Sequence, residues 1–279
     1  MLKRALLIFT FVAFSLTAQT PIRVVVDATD APRKIFHSHL TIPATPGPMK
    51  LAYAKWIPGE HSPSGPLTDV VNLKITANGA PVEWRRDPFD MFVILLDAPA
   101  KTTALEVDLS YLSPIAGGNF TAGPNSTANL AVLSWNTLLL FPPGKDASEI
   151  FVEGSIRAPE GWRVASALDH DDAGKFQRAT LATYVDSPVI LGRYFKTVAL
   201  PAVPNAPVHR INIVSESNGD LEAPATFAAD YARLVAEAGA AFGSYHFSKY
   251  DWLLTLSDDV AHFGLEHHES SDNRMPEAT

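Results

Sequence analysis

The chain has 279 residues, 47% hydrophobic and 19% charged, with a formal net charge of −8. That composition describes a folded protein with room for one large core or two ordinary ones, and it excludes a disordered chain. No basic cluster follows the first few residues, which argues against nucleic acid or an anionic membrane surface as partner. The absence of cysteine excludes disulfides, Cys-ligated metal and thiol catalysis.

Residues 1–19 read as a secretory signal peptide. Lys3 and Arg4 form a positive start, 5–16 is an apolar run, and the small residues Thr17 and Ala18 precede a cleavage point near Ala18-Gln19. The run is too short for a membrane span. The expectation is an exported protein, periplasmic or secreted, with no membrane association after cleavage.

From Pro21 onward, period-two or short apolar runs are bounded by Pro, Gly, Asn and Asp. Strands are predicted over 22–26, 35–42, 51–56, 70–77, 91–96, 105–112, 130–135, 150–157, 176–184 and 189–198. Asn78-Gly79 predicts a tight hairpin from 73–77 into Val82-Glu83-Trp84. Many short strands with regular turns predict an antiparallel β-sandwich over 20–199. No repeat of fixed period supports a solenoid or propeller. The Gly/Ser/Asn stretch 117–127 holds two sequons, Asn119-Phe120-Thr121 and Asn125-Ser126-Thr127, and reads as a polar loop.

Residues 200–208, LPAVPNAPV, read as a Pro-rich connector between two units. The style then changes. A short strand at 211–214 precedes a helix over 224–242, whose apolar face is Phe227, Tyr231, Leu234, Val235, Ala238 and Phe242. Pro224 fits its first turn and Gly243 its stop. A strand at 250–256 completes an α/β pattern over 209–279.

Several side-chain groups invite a chemical reading. His37 and His39 share one strand face; two such imidazoles can chelate a metal, but no third ligand is near in sequence, and a hydrogen-bonded pair fits better. Trp56-Ile57-Pro58-Gly59, followed by Glu60 and His61, reads as a core plug and turn. Asp169-His170-Asp171-Asp172 has neither the glycine nor the closing glutamate of an EF-hand and reads as a solvated turn. The densest cluster is Phe263-Gly264-Leu265-Glu266-His267-His268-Glu269. Its continuation, His268 to Asp272, reads H-E-x-x-D. Zinc ligation at that spacing needs a helix, whereas Gly264, the Ser-Ser-Asp-Asn run and Pro276 predict a strand running into a loop. There is no G-x-S-x-G, P-loop or dinucleotide-binding glycine pattern.

Four stretches together resemble the glycyl aminopeptidase family of gluzincin zinc metallopeptidases, whose members often carry a PDZ domain. They are Trp56-Ile57-Pro58-Gly59; Leu133-Ser134-Trp135-Asn136 through Leu140-Phe141-Pro142; Phe242-Gly243 with Tyr245, Phe247, Tyr250 and Trp252-Leu253-Leu254; and Gly264-Leu265-Glu266-His267. The resemblance implies a β-rich N-terminal domain followed by a thermolysin-like catalytic domain that acts on peptides. It assigns Gly264, Leu265, Glu266 and His267 to a strand edging the catalytic cleft. Backbone groups at Gly264 and Leu265 would pair with substrate, and Glu266 would bind the free α-amine.

The chain departs from the family in one large respect. The family's H-E-x-x-H follows this strand by a few dozen residues, and the sequence reaches Thr279 without it. No catalytic set is complete here, so zinc is expected only in a full-length parent and the chain alone is expected to be inactive. The rival reading is a non-catalytic secreted β-sandwich binding module. A peptidase fragment should leave 209–279 poorly protected and separable from the sandwich; a binding module should dock that segment on it.

Overall fold

The computed structural model describes residues 19–57, 62–115 and 123–277. Most of the expected signal peptide (1–18), the turn expected at 58–61, the first sequon and residues 278–279 lie outside the described residues.

Alternation in the sequence builds the first sheets. Ile22, Val24 and Val26 point inward from Ile22–Asp27 while Arg23 and Val25 point out. A seven-stranded sheet runs in the order Ala179–Thr180, Phe151–Arg157, Ile22–Asp27, Ile35–Pro43, Ala104–Leu112, Val70–Ala77, Ala80–Pro81. It is antiparallel except where Ile22–Asp27 meets Phe151–Arg157. A three-stranded sheet (Gly47–Ala52, Val93–Ala98, Trp84–Arg86) and a four-stranded one (Arg163–Ser166, Val189–Gly192, Leu130–Leu133, Asn125–Ser126) complete the region. All three contribute to one core, in which Phe36, Leu51, Ile94, Leu133 and Leu191 are buried together. The protein is thus mainly β, with several antiparallel sheets, as the strand patterning predicts.

Trp135 is the tryptophan at the centre of that core. Its ring meets Phe176 and Tyr184 edge-on, each at a centroid distance of 5.1 Å. Gly154 lies against this cluster so closely that a Cβ would sit 2.8 Å from both Trp135 and Tyr184. Trp56, expected to plug the core, is instead 63% exposed, because the chain leaves the sheet after Ala52.

Three local expectations change in detail. Asn78 and Gly79 do form the tight turn, with φ of 53° and 78°, but the returning strand is only Ala80–Pro81, and Trp84–Arg86 pairs in the three-stranded sheet instead. The stretch 176–184 is not one strand. Thr180 accepts a hydrogen bond from the Thr183 N–H and starts a short helix, Leu181–Val185, which turns Leu181 and Tyr184 into the core. The stretch 189–198 changes sheets at Arg193: Val189–Gly192 belongs to the four-stranded sheet and Tyr194–Ala199 to the last one.

The last sheet has five strands, in the order Tyr194–Ala199, Val208–Ser215, Lys249–Leu256, Ser270–Met275, Phe263–Glu266. The two inner contacts of Lys249–Leu256 are parallel, and both outer pairs are antiparallel. The Pro-rich segment sits inside the first antiparallel hairpin, so the strand before it and the strand after it share a sheet. Its prolines fall in the loop, where no ladder donor is required. Ser270–Met275, expected as loop, is an interior strand of this sheet.

The helix Phe227–Phe242 follows Val208–Ser215 and ends at Gly243, which takes φ of 77°. It starts at Phe227 rather than Pro224, whose carbonyl accepts the Phe227 N–H. One face of the sheet packs Val214 and Leu253 against Leu130, Val132 and Ile190 of the four-stranded sheet. The opposite face packs Ile211, Ile213 and Trp252 against Phe227 and Tyr231 of the helix. Expected separability therefore meets a shared core: Asp251, Leu253 and Thr255 are all 0% exposed. The helix is the open side, with Leu234 54% and Phe242 81% exposed.

Candidate functional site

Phe263–Glu266 is the outermost strand of the five. It pairs on one side with Ser270–Met275, Glu266 opposite Ser271 and Phe263 opposite Arg274. Side chains alternate across a strand, so Phe263 and Leu265 share one face while Gly264 and Glu266 share the other. Phe263 is 9% exposed, on the side of the first sheets, and the Arg274 guanidinium lies 4.4 Å from its ring centroid. Glu266 is exposed on the helix side of the sheet. Its charge acts on Tyr250. Burial first, and the charges of Glu266 and Asp186 in addition, push the Tyr250 hydroxyl up, while its hydrogen bond with Ser271 works the other way.

Gly264 is exposed, and a Cβ built on it would meet nothing closer than Asn273 Oδ1 at 3.7 Å. Crowding within this chain therefore does not require glycine there. What glycine does provide is a low backbone on the outermost strand among the described residues, where another chain can approach.

The two imidazoles and two carboxylates that crowd together in sequence are separated by the fold. His267 turns toward the first sheets, its side chain 4% exposed, and its Nδ1–H donates to Asp186 Oδ1 at 3.0 Å. The His268 backbone N–H donates to Asp186 Oδ2 at 2.9 Å, and its side chain is exposed. Burial raises the Asp186 carboxyl, but the bonds from His267 and His268 outweigh it and hold the group below its ordinary value. Glu269 accepts from the Ser248 N–H at 3.1 Å and Ser248 Oγ–H at 2.6 Å, fastening the tip to the aromatic turn. Of the cluster, Glu266 and His268 alone face solvent.

Asp272 is 2% exposed and bound to the fully enclosed Arg274, with Nη2 to Oδ2 at 2.7 Å and Nε to both oxygens at 3.2 Å. His267, His268 and Asp272 therefore do not converge. Among the described residues, no group of three or more His, Asp or Glu is arranged to hold a metal ion. His267, His268 and Asp272 do not fit zinc.

Next to Tyr250 lies a cavity of 440 Å³ lined by Leu234, Val235, Ala238, Phe242, Tyr250 and Trp252 among others. His209 forms its floor. Its Nδ1–H donates to the Pro207 carbonyl at 2.7 Å, and burial among aromatic rings lowers its pKa. Below the sheet, Asp251 accepts from Arg210 Nε and Nη2 and from Asn212 Nδ2, each at 2.9 Å.

The remaining candidates are structural. His37 bonds Ser110 at 3.0 Å and Asp30 at 3.2 Å; His39 bonds Asp108 at 2.8 Å and Glu106 at 3.1 Å. The acidic turn places Asp169 against Lys249 and bends at Gly174, with φ of 77°. Sequence reasoning missed Asp186, which lies 81 residues before its imidazole partner. A lone aspartate after a short helix carries no signal of such a contact.

No curated protein matches the sequence. Among solved structures, the chain is similar to an aminopeptidase N family protein from Idiomarina loihiensis. The TM-score is 0.74 at 17% identity, covering 92% of this chain and 42% of that one. It is also similar to an M1 zinc metallopeptidase from Deinococcus radiodurans, with a TM-score of 0.51 at 14% identity, covering 91% and 59%. At those identities the likeness is one of fold, and the chain spans less than two thirds of either protein. The family model described as the Peptidase M61 N-terminal domain matches residues 23–193, ending one residue before the five-stranded sheet begins. That match covers more than half of the 279 residues, and the chain belongs to the Peptidase M61 N-terminal domain family.

Proposed function

We propose that this chain supplies the N-terminal domain and the substrate-binding edge of an exported, aminopeptidase-like zinc metallopeptidase. In this reading the first domain runs to about residue 193, and the catalytic unit opens with the Tyr194–Ala199 strand. The outer edge of Phe263–Glu266 receives a peptide as an added strand, pairing with backbone groups at Gly264 and Leu265. Glu266 takes the free α-amine by a charge-assisted hydrogen bond, which sets how far the peptide N-terminus enters the cleft. Zinc and the general base belong to the rest of a longer parent, so the chain alone binds peptide without cleaving it.

The observation that carries this reading is the placement of Glu266. It is exposed, on the last strand of the sheet, beside a bare glycine backbone and an edge to which no other strand among the described residues is added. The family supports peptide as the ligand class, and the solved relatives titled as zinc metallopeptidases support zinc in a parent. The test is titration of a glycine-initiated tripeptide, with free or acetylated N-terminus, against 15N-labelled protein. Shifts at 264–266 are expected for the free amine, and weaker binding for the acetylated peptide and for Glu266→Gln. Equal affinity for both peptides would reject amine recognition. For export, a mature N-terminus near Gln19 in the native host is expected; a chain still starting at Met1 would reject it.

A further inference from the structure

Glu266 is the last residue of a strand only four residues long, next to a turn. Such an end frays unless something holds it. Within the sheet, Glu266 pairs with Ser271, and the His267 N–H closes the turn on the Ser270 carbonyl at 2.8 Å. A further restraint comes from the first domain. Asp186 follows the helix Leu181–Val185, and its own N–H is tied back to the Ala182 carbonyl at 3.2 Å. Its two carboxylate oxygens then take one bond each from the two residues that follow Glu266: His267 Nδ1–H at 3.0 Å and the His268 N–H at 2.9 Å. A single carboxylate thus fixes both the side chain of one residue and the backbone of the next.

The bonds also fix the imidazole. An ionised carboxylate only accepts, so the His267 proton sits on Nδ1. Nε2 is buried without a partner, so the ring has no second anchor to compete with Asp186. With His267 drawn toward the first domain, strand alternation sends Glu266 to the opposite face, above Tyr250 and Ser271.

We infer that Asp186 is a positioning residue for Glu266, holding the substrate-binding edge in register through His267 and His268 and so completing the site from the N-terminal domain. The inference rests on the amine-binding role proposed for Glu266. It implies that the first domain is part of the recognition apparatus and not only a carrier for it.

The test uses the whole chain and NMR. In the unaltered protein, imidazole 15N shifts should show His267 protonated at Nδ1; a proton on Nε2 instead would overturn the proposal without any variant. Asp186→Ala should speed amide exchange at 264–266 roughly tenfold or more, the loss of one charge-assisted hydrogen bond, and weaken free-amine peptide binding. His267→Asn keeps a donor near the Nδ1 position and should retain affinity, whereas His267→Leu should lose it. Unchanged exchange and affinity in Asp186→Ala, alongside weakened binding in Glu266→Gln, would refute positioning while leaving the amine-binding role standing. Unchanged binding in Glu266→Gln, with faster exchange in Asp186→Ala, would instead refute the amine-binding role and leave Asp186 as the anchor of the edge alone.

Discussion

Replacing Arg274 with alanine should be among the most damaging single changes to the edge strand Phe263–Glu266. The guanidinium is enclosed, its side chain 0% exposed, and its partner Asp272 is 2% exposed. It makes three contacts to that carboxylate, donates Nη1–H to the Gly123 carbonyl at 3.0 Å, and lies over Phe263 of the edge strand. Removing it leaves the buried Asp272 carboxylate without its cation and empties the space under Phe263. Breaking a buried ion pair from one side costs about 3–5 kcal/mol. That is a large part of a total stability of roughly 5–15 kcal/mol. For a chain of this size it corresponds to a fall in Tm of about 6–20 °C if the molecule unfolds as one unit. Urea denaturation with hydrogen exchange measures both the global loss and its location, and 263–266 with 270–275 should lose protection first. The double variant Asp272→Leu, Arg274→Met should recover most of the loss, because matched apolar groups often replace a buried pair at little cost. A loss under about 1 kcal/mol in Arg274→Ala, the range of solvated surface pairs, would show that the pair is hydrated and refute the reasoning.

Gly154→Ala should destabilise the first domain by about 1–3 kcal/mol through overpacking, since its Cβ meets Trp135 and Tyr184 at 2.8 Å; equal Tm values for variant and parent would contradict this. Gly192→Ala probes the junction with the five-stranded sheet, because its Cβ would lie 3.0 Å from Val214 Cβ. Exchange in Val208–Ser215 should rise more than in Ile22–Asp27, and the reverse order would show that the sheets do not share this contact. The depressed Asp186 carboxyl predicts a pH dependence with a definite sign. A group whose folded pKa lies below its unfolded value contributes stability above the unfolded value and loses it as pH falls through the folded one. The Asp186 contribution should thus be complete above the ordinary aspartate value of 3.8 and fade below it. Asp186→Asn should flatten that acid limb, and identical limbs for the two proteins would count against the clamp.

The sequence by itself determined most of the strands, the Asn78-Gly79 turn and the helix stop at Gly243. Each of these is written in local chemistry: period-two burial and the positive φ that Asn and Gly tolerate. The same chemistry identified the family resemblance, since Gly264 to His267 is a local motif. Only tertiary structure decided which sheet each strand joined. Residues 189–198 read as one strand because both halves are rich in apolar and aromatic residues, yet Arg193 divides them between two sheets. Ser270–Met275 read as a loop because its buried face uses Asp272 and Arg274 in place of apolar residues, so the alternation that marks a strand is absent. Trp56 and Trp135 are both aromatic neighbours of a strand end, and packing alone put the second in the core and left the first in solvent. Asp186 shows the limit most plainly. Its bonds to His267 and His268 form between segments that local sequence does not connect, and they exist because the five-stranded sheet docks on the first domain with that edge facing the short helix.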